Sequence, residues 1–223
     1  MCILFDLDGT LVDTAPDFVQ AVNQIRAEEG LTPLAALIIR ATVSHGIQGM
    51  VTAGFGLTKG EPRNEDIRRR VLQAYTDCSG RYATLFPGML SLLDYLDEKH
   101  IPWGVVTNKH SALSEPLLKA LQLKSRAACV VSGDTVAHPK PHPEPLFYAC
   151  RQINIAPEQC VYIGDAERDI QAGKRAGMTT IAALFGYVED ESEVQQWGAN
   201  HTIHHADEIK PWYEAWKKIQ PSQ

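Results

Sequence analysis

The sequence predicts an α/β protein, with a mostly parallel sheet covered by helices on both faces and a small helical insertion after the first strand. Three observations carry this. Beyond residue 86, short apolar runs alternate with segments of helical period. Residues 15–80 show helical periodicity and no convincing strand. Asp6, Thr107 and Asp165 each stand at the end of an apolar run, and parallel sheets bind ligands at the carboxyl ends of their strands.

The elements follow in order. Cys2 to Leu7 is a short apolar run that reads as a central strand. From Ala15 the period becomes helical: Phe18, Val22 and Ile25 share one face, and Glu29-Gly30 is a stop signal. A second helix is expected from Pro33 to about Val43. Gly46, Gly49, Gly54, Gly56 and Gly60 weaken the segment after it. Asn64 to Cys78 reads as a helix with Asn64 as its cap. Phe86-Pro87-Gly88 closes the insertion.

A helix from Met89 to Lys99 turns Leu92, Leu93 and Leu96 inward, and a strand from Pro102 to Thr107 follows. Next come a helix from Ser111 to Leu121, a strand from Ala127 to Ser132, and a helix from Pro145 to Ile153 with its proline suited to the first turn. Cys160 to Gly164 is a strand, Glu167 to Ala176 a helix ended by Gly177, and Thr179 to Ala183 a strand. The domain division is 1–14 with 81–223 for the core, and 15–80 for the insertion.

A chain of 223 residues suffices for one good core and a small accessory domain. Its 21 Lys and Arg against 27 Asp and Glu leave a formal charge of -6, unlike the basic surface of a nucleic-acid binder. Cys2, Cys78, Cys129, Cys150 and Cys160 are scattered and form no CxxC pair, so free thiols in a reducing, cytoplasmic setting are expected. The first apolar run carries Asp6 and Asp8 almost at once, which is not a signal peptide, and no stretch is long and apolar enough to span a membrane. A monomer is expected, with a cap-mediated homodimer as the alternative.

The chemistry lies in four fragments. Asp6 and Asp8 are two apart, so a strand-like trace points both to one face. Paired carboxylates in low dielectric repel unless a cation or proton intervenes. Asp165 completes a hard oxygen site, which suits Mg2+ better than zinc. Asp169, four positions on, faces the same cavity if a helix starts between them, and a second-shell or water-mediated role suits it better than direct ligation. Thr107 offers a hydroxyl and backbone donors. Lys140 offers a positive charge held between Pro139 and Pro141. Both suit phosphate. His138 and His142 have metal-pair spacing, but Pro139, Pro141 and Pro143 argue against a helix that would align them, so no metal site is expected there. Arg68, Arg69 and Arg70 read as a solvated charged face, and His201, His204 and His205 as surface or edge residues.

In this order, Asp6-Leu7-Asp8-Gly9-Thr10, the fragment centred on Thr107, the one centred on Lys140, and Gly164-Asp165-Ala166-Glu167-Arg168-Asp169 resemble the haloacid dehalogenase superfamily of phosphohydrolases. The resemblance covers essentially the whole chain. It implies a Rossmann-like core with a helical cap. Asp13-Thr14-Ala15-Pro16-Asp17, Thr107-Asn108-Lys109 and Lys140-Pro141-His142-Pro143-Glu144-Pro145 look like its phosphoglycolate phosphatase-like branch.

By that resemblance Asp6 is the nucleophile that forms an aspartyl-phosphate, and Asp8 is the acid and then the base. Mg2+ is held by the Asp6 carboxylate, the Asp8 backbone carbonyl and Asp165. Thr107 and Lys140 bind phosphoryl oxygens, and Gly9 and Asn108 add backbone or polar contacts. His45 is expected either at the far end of a small phosphorylated metabolite or as an exposed or core histidine without that role.

The resemblance makes 2-phosphoglycolate the default substrate. Bacterial phosphoglycolate phosphatases often carry a Gly-Asn-Gly turn in the cap, where this chain has Ser44-His45-Gly46. The alternative is N-acetylmuramic acid 6-phosphate, since Trp103-Gly104-Val105-Val106-Thr107-Asn108-Lys109, Phe185-Gly186-Tyr187 and Trp197-Gly198-Ala199 echo the phosphatases of that sugar. A dehalogenase leaves Asp8, Asp165 and Asp169 poorly explained. A phosphoglucomutase-like mutase or a non-enzymatic binding protein is a lesser alternative.

Overall fold

The computed structural model describes residues 1–219. Six strands form one sheet: β1 (Cys2–Phe5), β4 (Trp103–Val106), β5 (Cys129–Val131), β6 (Cys160–Gly164), β7 (Thr179–Ala183) and β8 (His201–Ile203). Their spatial order is β5-β4-β1-β6-β7-β8, and every neighbouring pair is parallel. The register sets Ile3 beside Trp103 and Val161, so β1 is hydrogen-bonded on both sides. Helices cover both faces of such a parallel sheet, which is why the central Cys2-Ile3-Leu4-Phe5 is continuously apolar and all four residues have no exposure. Two further short strands, β2 (Val12–Asp13) and β3 (Thr84–Leu85), pair as a separate ribbon.

The chain divides into two compact units, residues 1–12 with 85–219 and residues 13–84. In the first, helices α5 (Met89–Glu98), α6 (Ser111–Ala120), α7 (Glu144–Ile153) and α8 (Glu167–Arg175) connect successive strands. Leu92, Leu93 and Leu96 of α5 are buried as their spacing predicts, each contributing roughly 1.5–3 kcal/mol of transfer free energy. The end of the core eluded sequence reading. α9 (Glu191–Trp197), the edge strand β8 and α10 (Ile209–Ile219) are all ordered elements. His201 lies on that edge strand and stacks on Trp212 with ring centroids 5.6 Å apart.

The second unit is helical: α1 (Ala15–Glu28), α2 (Ala36–Ala41), α3 (Gly46–Phe55) and α4 (Asn64–Cys78). Phe18 of α1 stacks on Tyr75 of α4 at 4.0 Å between centroids. Asp17 is fully buried and accepts the N–H groups of Gly80 at 2.6 Å, Tyr82 at 2.8 Å and Ala83 at 3.2 Å, which fastens the end of the unit to its first helix.

Three expectations need correction here. The glycine-rich stretch forms the ten-residue α3, because Met50, Val51 and Gly54 are buried and tertiary packing overrides weak propensity. Gly54 packs closely there, since a Cβ would stand 3.1 Å from the Val22 side chain. Asn64 is the first helical residue and not the cap, and its side-chain amide donates to the Leu57 carbonyl at 3.4 Å. Arg70 is more than a solvated charge, pairing with Glu28 at 2.8 Å and also with Glu29 to tie α4 to α1. Arg68 and Arg69 make the exposed i,i+3 pairs expected of a solvated face.

Candidate active site

Three adjacent central strands each hand over to one polar residue. Asp6 directly follows β1, Thr107 follows β4 and Asp165 follows β6. All three side chains are almost wholly buried. The chain then turns sharply. The Leu11 N–H returns to the Asp6 carbonyl at 3.3 Å and the Val12 N–H to the Leu7 carbonyl at 2.9 Å. Gly9 makes this turn possible with φ +86°, and a Cβ there would lie 2.1 Å from the Asp165 carboxylate. Only glycine lets the first loop pass so close to that acid.

Asp6, Asp165 and Asp169 each bring one carboxylate oxygen to within 4.8 Å of the others. The cation among them is Lys140, whose side chain has no solvent exposure. Its ammonium lies 2.9 Å from Asp6 Oδ1, 2.7 Å from Asp169 Oδ1, 2.7 Å from the Tyr162 hydroxyl and 2.9 Å from the Val106 carbonyl. Burial opposes the Lys140 charge, yet Asp169 and Asp6 outweigh it and hold its pKa above the ordinary value. Burial and the neighbouring Asp6 and Asp169 push Asp165 up to about 7, against donation from the Tyr187 N–H and Thr10. Asp169 is likewise raised, chiefly by burial, with Lys140 acting in the opposite direction.

Three buried carboxylates face the Lys140 ammonium, with the Arg168 guanidinium in their field. The donors are all hard oxygens, with no thiol or imidazole in the group. This donor set fits Mg2+. Asp165 is held in place: Thr10 Oγ1 donates to one oxygen at 3.0 Å and the Tyr187 N–H to the other at 2.8 Å. Asp169 is engaged otherwise, one oxygen on Lys140 and the other accepting the Ala166 N–H at 3.1 Å.

The remaining expected residues have distinct places. Asp8 stands outside the three-carboxylate group and pairs with Lys109 Nζ at 2.8 Å. Thr107 Oγ1 accepts the Lys109 N–H at 3.1 Å, shaping the loop after β4. Both ends of the Asn108 amide are occupied by Lys140: Nδ2 donates to its carbonyl at 2.8 Å, and Oδ1 accepts its N–H at 2.9 Å. His45 belongs to the helical unit, where it is exposed and precedes α3.

Sequence reading passed over Tyr162, Thr10, Lys109 and Arg168. Tyr162 was detectable as the one hydroxyl in the continuously buried β6, because a buried phenol needs a partner. Its pKa is raised well above the ordinary value by burial and by Asp169 and Asp6, so it stays a neutral donor. Arg168 lies in the field of the same acids. Burial opposes its charge, and Asp169, Asp6 and Asp165 outweigh it.

Comparison with known proteins agrees with this geometry. The profile of the haloacid dehalogenase-like hydrolases matches residues 3–183. An N-acetylmuramic acid 6-phosphate phosphatase of Pseudomonas aeruginosa is 39% identical over 207 residues, covering 93% of this chain and 92% of that one. A phosphoglycolate phosphatase of Xanthomonas campestris pv. campestris is 40% identical over 198 residues, covering 89% of each. The crystal structure of a predicted phosphoglycolate phosphatase from Haemophilus somnus superposes with a TM-score of 0.82 at 23% identity, over 95% of this chain and 97% of that one, and so shares the fold. With a family profile spanning most of its length and curated relatives near two-fifths identity, the chain belongs to the haloacid dehalogenase-like hydrolases.

Proposed function

We propose that this chain cleaves N-acetylmuramic acid 6-phosphate through an aspartyl-phosphate formed on Asp6. At the coarser level the chain is a magnesium-dependent phosphomonoesterase. The observation that carries the reaction type is the buried Lys140 ammonium shared between Asp6 and Asp169 beside Asp165.

In this reading Asp6 attacks phosphorus. Lys140 holds Asp6 Oδ1 at 2.9 Å, which fixes the carboxylate before substrate arrives. The ester P–O bond breaks as the Asp6 O–P bond forms, and Asp8 gives its proton to the leaving oxygen. Asp8 then takes a proton from the water that attacks the aspartyl-phosphate, releasing inorganic phosphate and restoring Asp6. Lys109, paired with Asp8, orients it for both steps. Thr107 and Lys140 bind the phosphoryl oxygens, Gly9 admits the loop, and Asn108 positions Lys140 through its backbone. The Asp6 and Asp165 carboxylates and the Asp8 carbonyl would hold magnesium, with Asp169 supporting from behind Lys140. Bound there, the ion neutralises charge that would otherwise repel an anionic nucleophile from an anionic phosphate.

Two observations support the sugar phosphate. The cap reads Ser44-His45-Gly46 in place of a Gly-Asn-Gly turn. The Phe185-Gly186-Tyr187 fragment, which echoes phosphatases of that sugar, packs on the site. Tyr187 donates to Asp165, and a Cβ at Gly186 would lie 2.3 Å from the Gly9 carbonyl. The second reading is 2-phosphoglycolate, the default from sequence, favoured by the 40% identical Xanthomonas relative. Both substrates carry a carboxylate as well as a phosphate, and His45 is the proposed contact for the end remote from phosphorus. The proposal includes residues 15–80 as the specificity cap on a core of 1–14 and 81–223, and a cytoplasmic, monomeric or weakly dimeric enzyme. Phosphate release from the two compounds, measured side by side with Mg2+ and with chelator, tests it. A higher kcat/KM for the sugar phosphate supports the first reading, and a higher value for 2-phosphoglycolate replaces it with the second. Release that persists in chelator refutes the metal assignment.

A further inference from the structure

His138, His142 and Glu144 converge on the core unit although no helix aligns them. One imidazole nitrogen from each ring and one Glu144 oxygen lie within 4.8 Å of one another. The two rings lie with centroids 4.7 Å apart and planes tilted by 37°. Glu144 Oε2 is 2.8 Å from His138 Nδ1 and 4.0 Å from His142 Nδ1. A turn brings the pair together, the His142 N–H donating to the Pro139 carbonyl at 3.0 Å. Pro139, Pro141 and Pro143 alternate with His138, Lys140 and His142 and fix φ along a non-helical loop that doubles back on itself.

The loop is anchored on both sides. Asn108 grips the Lys140 peptide at 2.8 and 2.9 Å, Arg175 donates to the Pro141 carbonyl at 2.9 Å, and Glu144 opens α7. The ligand carriers are thus held before any ion arrives, which lowers the ordering cost of binding.

We propose that His138, His142 and Glu144 form a binding site for one borderline divalent transition ion of the Zn2+ class, separate from the three-aspartate site. Two imidazoles and one carboxylate suit Zn2+, Ni2+ or Cu2+ and are a poor set for Mg2+. Tetrahedral ligands at about 2.0–2.2 Å from zinc stand roughly 3.3–3.5 Å apart. The observed 2.8 and 4.0 Å bracket that value, and side chains half in solvent can make the adjustment. Exposure also keeps the desolvation cost small. On binding, the His138–Glu144 hydrogen bond and the bond from the Glu144 N–H to His142 Nδ1 at 3.2 Å exchange for coordinate bonds, and water completes the shell.

The site is independent of the substrate assignment. The test is calorimetric titration of Zn2+ into protein already saturated with Mg2+. The wild type should bind one equivalent, and His138→Gln and His142→Gln should each weaken it by at least about tenfold, the cost of disturbing even an indirect partner of a metal. Cu2+ added to the Mg2+-loaded wild type should show two coupled imidazole nitrogens by electron paramagnetic resonance. Absence of Zn2+ binding, binding undiminished in both variants, or a copper signal without nitrogen coupling would each overturn the proposal.

Discussion

Replacing Lys140 by Met keeps the length of the side chain and removes its charge. In the wild type that charge is fully buried and lies within 2.9 Å of Asp6, Asp169, Tyr162 and the Val106 carbonyl. Its loss leaves three carboxylates within 4.8 Å of one another without their ammonium. Removing one partner of a buried pair costs about 3–5 kcal/mol, and that is the expected loss of metal-free stability at pH 8. The sign of the pH dependence follows from the acids. Asp165 stands at about 7 and Asp169 is raised. Without Lys140, which draws Asp169 down, that acid rises further, so the folded protein binds protons that the unfolded chain, with carboxyls near 3.8, does not. Stability therefore falls as pH rises from about 4 through the folded values. Lys140→Met should lose least near pH 5 and most near pH 8. Urea unfolding in EDTA at both values measures it, and a Lys140→Met/Asp169→Asn pair should recover part of the loss. A deficit equal at the two pH values would show that packing, not charge, is what Lys140 supplies. A deficit below about 1 kcal/mol, the scale of an exposed ion pair, would refute the buried-charge argument altogether.

Further expectations follow from the same geometry. Asp6→Asn should lower kcat by on the order of 10⁴-fold or more, and Asp8→Asn by about 10²–10⁴-fold; single-turnover phosphate release measures both, and near-normal turnover in either would remove it from the proposed mechanism. Metal-free wild type should lose stability between about pH 4 and pH 7 because Asp165 is raised to about 7. Added Mg2+ should reverse that loss, as thermal unfolding with and without EDTA at pH 5 and pH 8 would show. Asp17→Ala strands the N–H groups of Gly80, Tyr82 and Ala83, at about 1–3 kcal/mol for each one left buried and unpaired. Denaturant titration and hydrogen exchange of those amides would report it, and unchanged protection would count against the anchoring role of Asp17.

The linear order of residues was enough for the periodicities of most elements and for the places of Asp6, Thr107 and Asp165 at strand ends, because both are local properties of chain geometry. Strand β1 is legible because a strand in a sheet covered on both faces must be apolar throughout. The free state of the cysteines also agrees with their scattered spacing, and all five are buried thiols. Among the described residues, no helix is long and apolar enough to cross a membrane.

What depends on distant partners was decided only in three dimensions. Lys140 and Asp6 are 134 positions apart, and no local pattern announces that their charges meet in a buried site. Tyr162 in β6, Lys109 on Asp8 and Thr10 on Asp165 became site residues for the same reason. Helix α3 forms against its glycine content because Met50 and Val51 are buried by neighbours that propensity does not count. The histidine pair is the clearest case. Three prolines forbid the one regular structure that brings residues at i and i+4 together, and the turn closed by the His142 N–H on the Pro139 carbonyl, in a loop held by Asn108 and Arg175, brings them together without it.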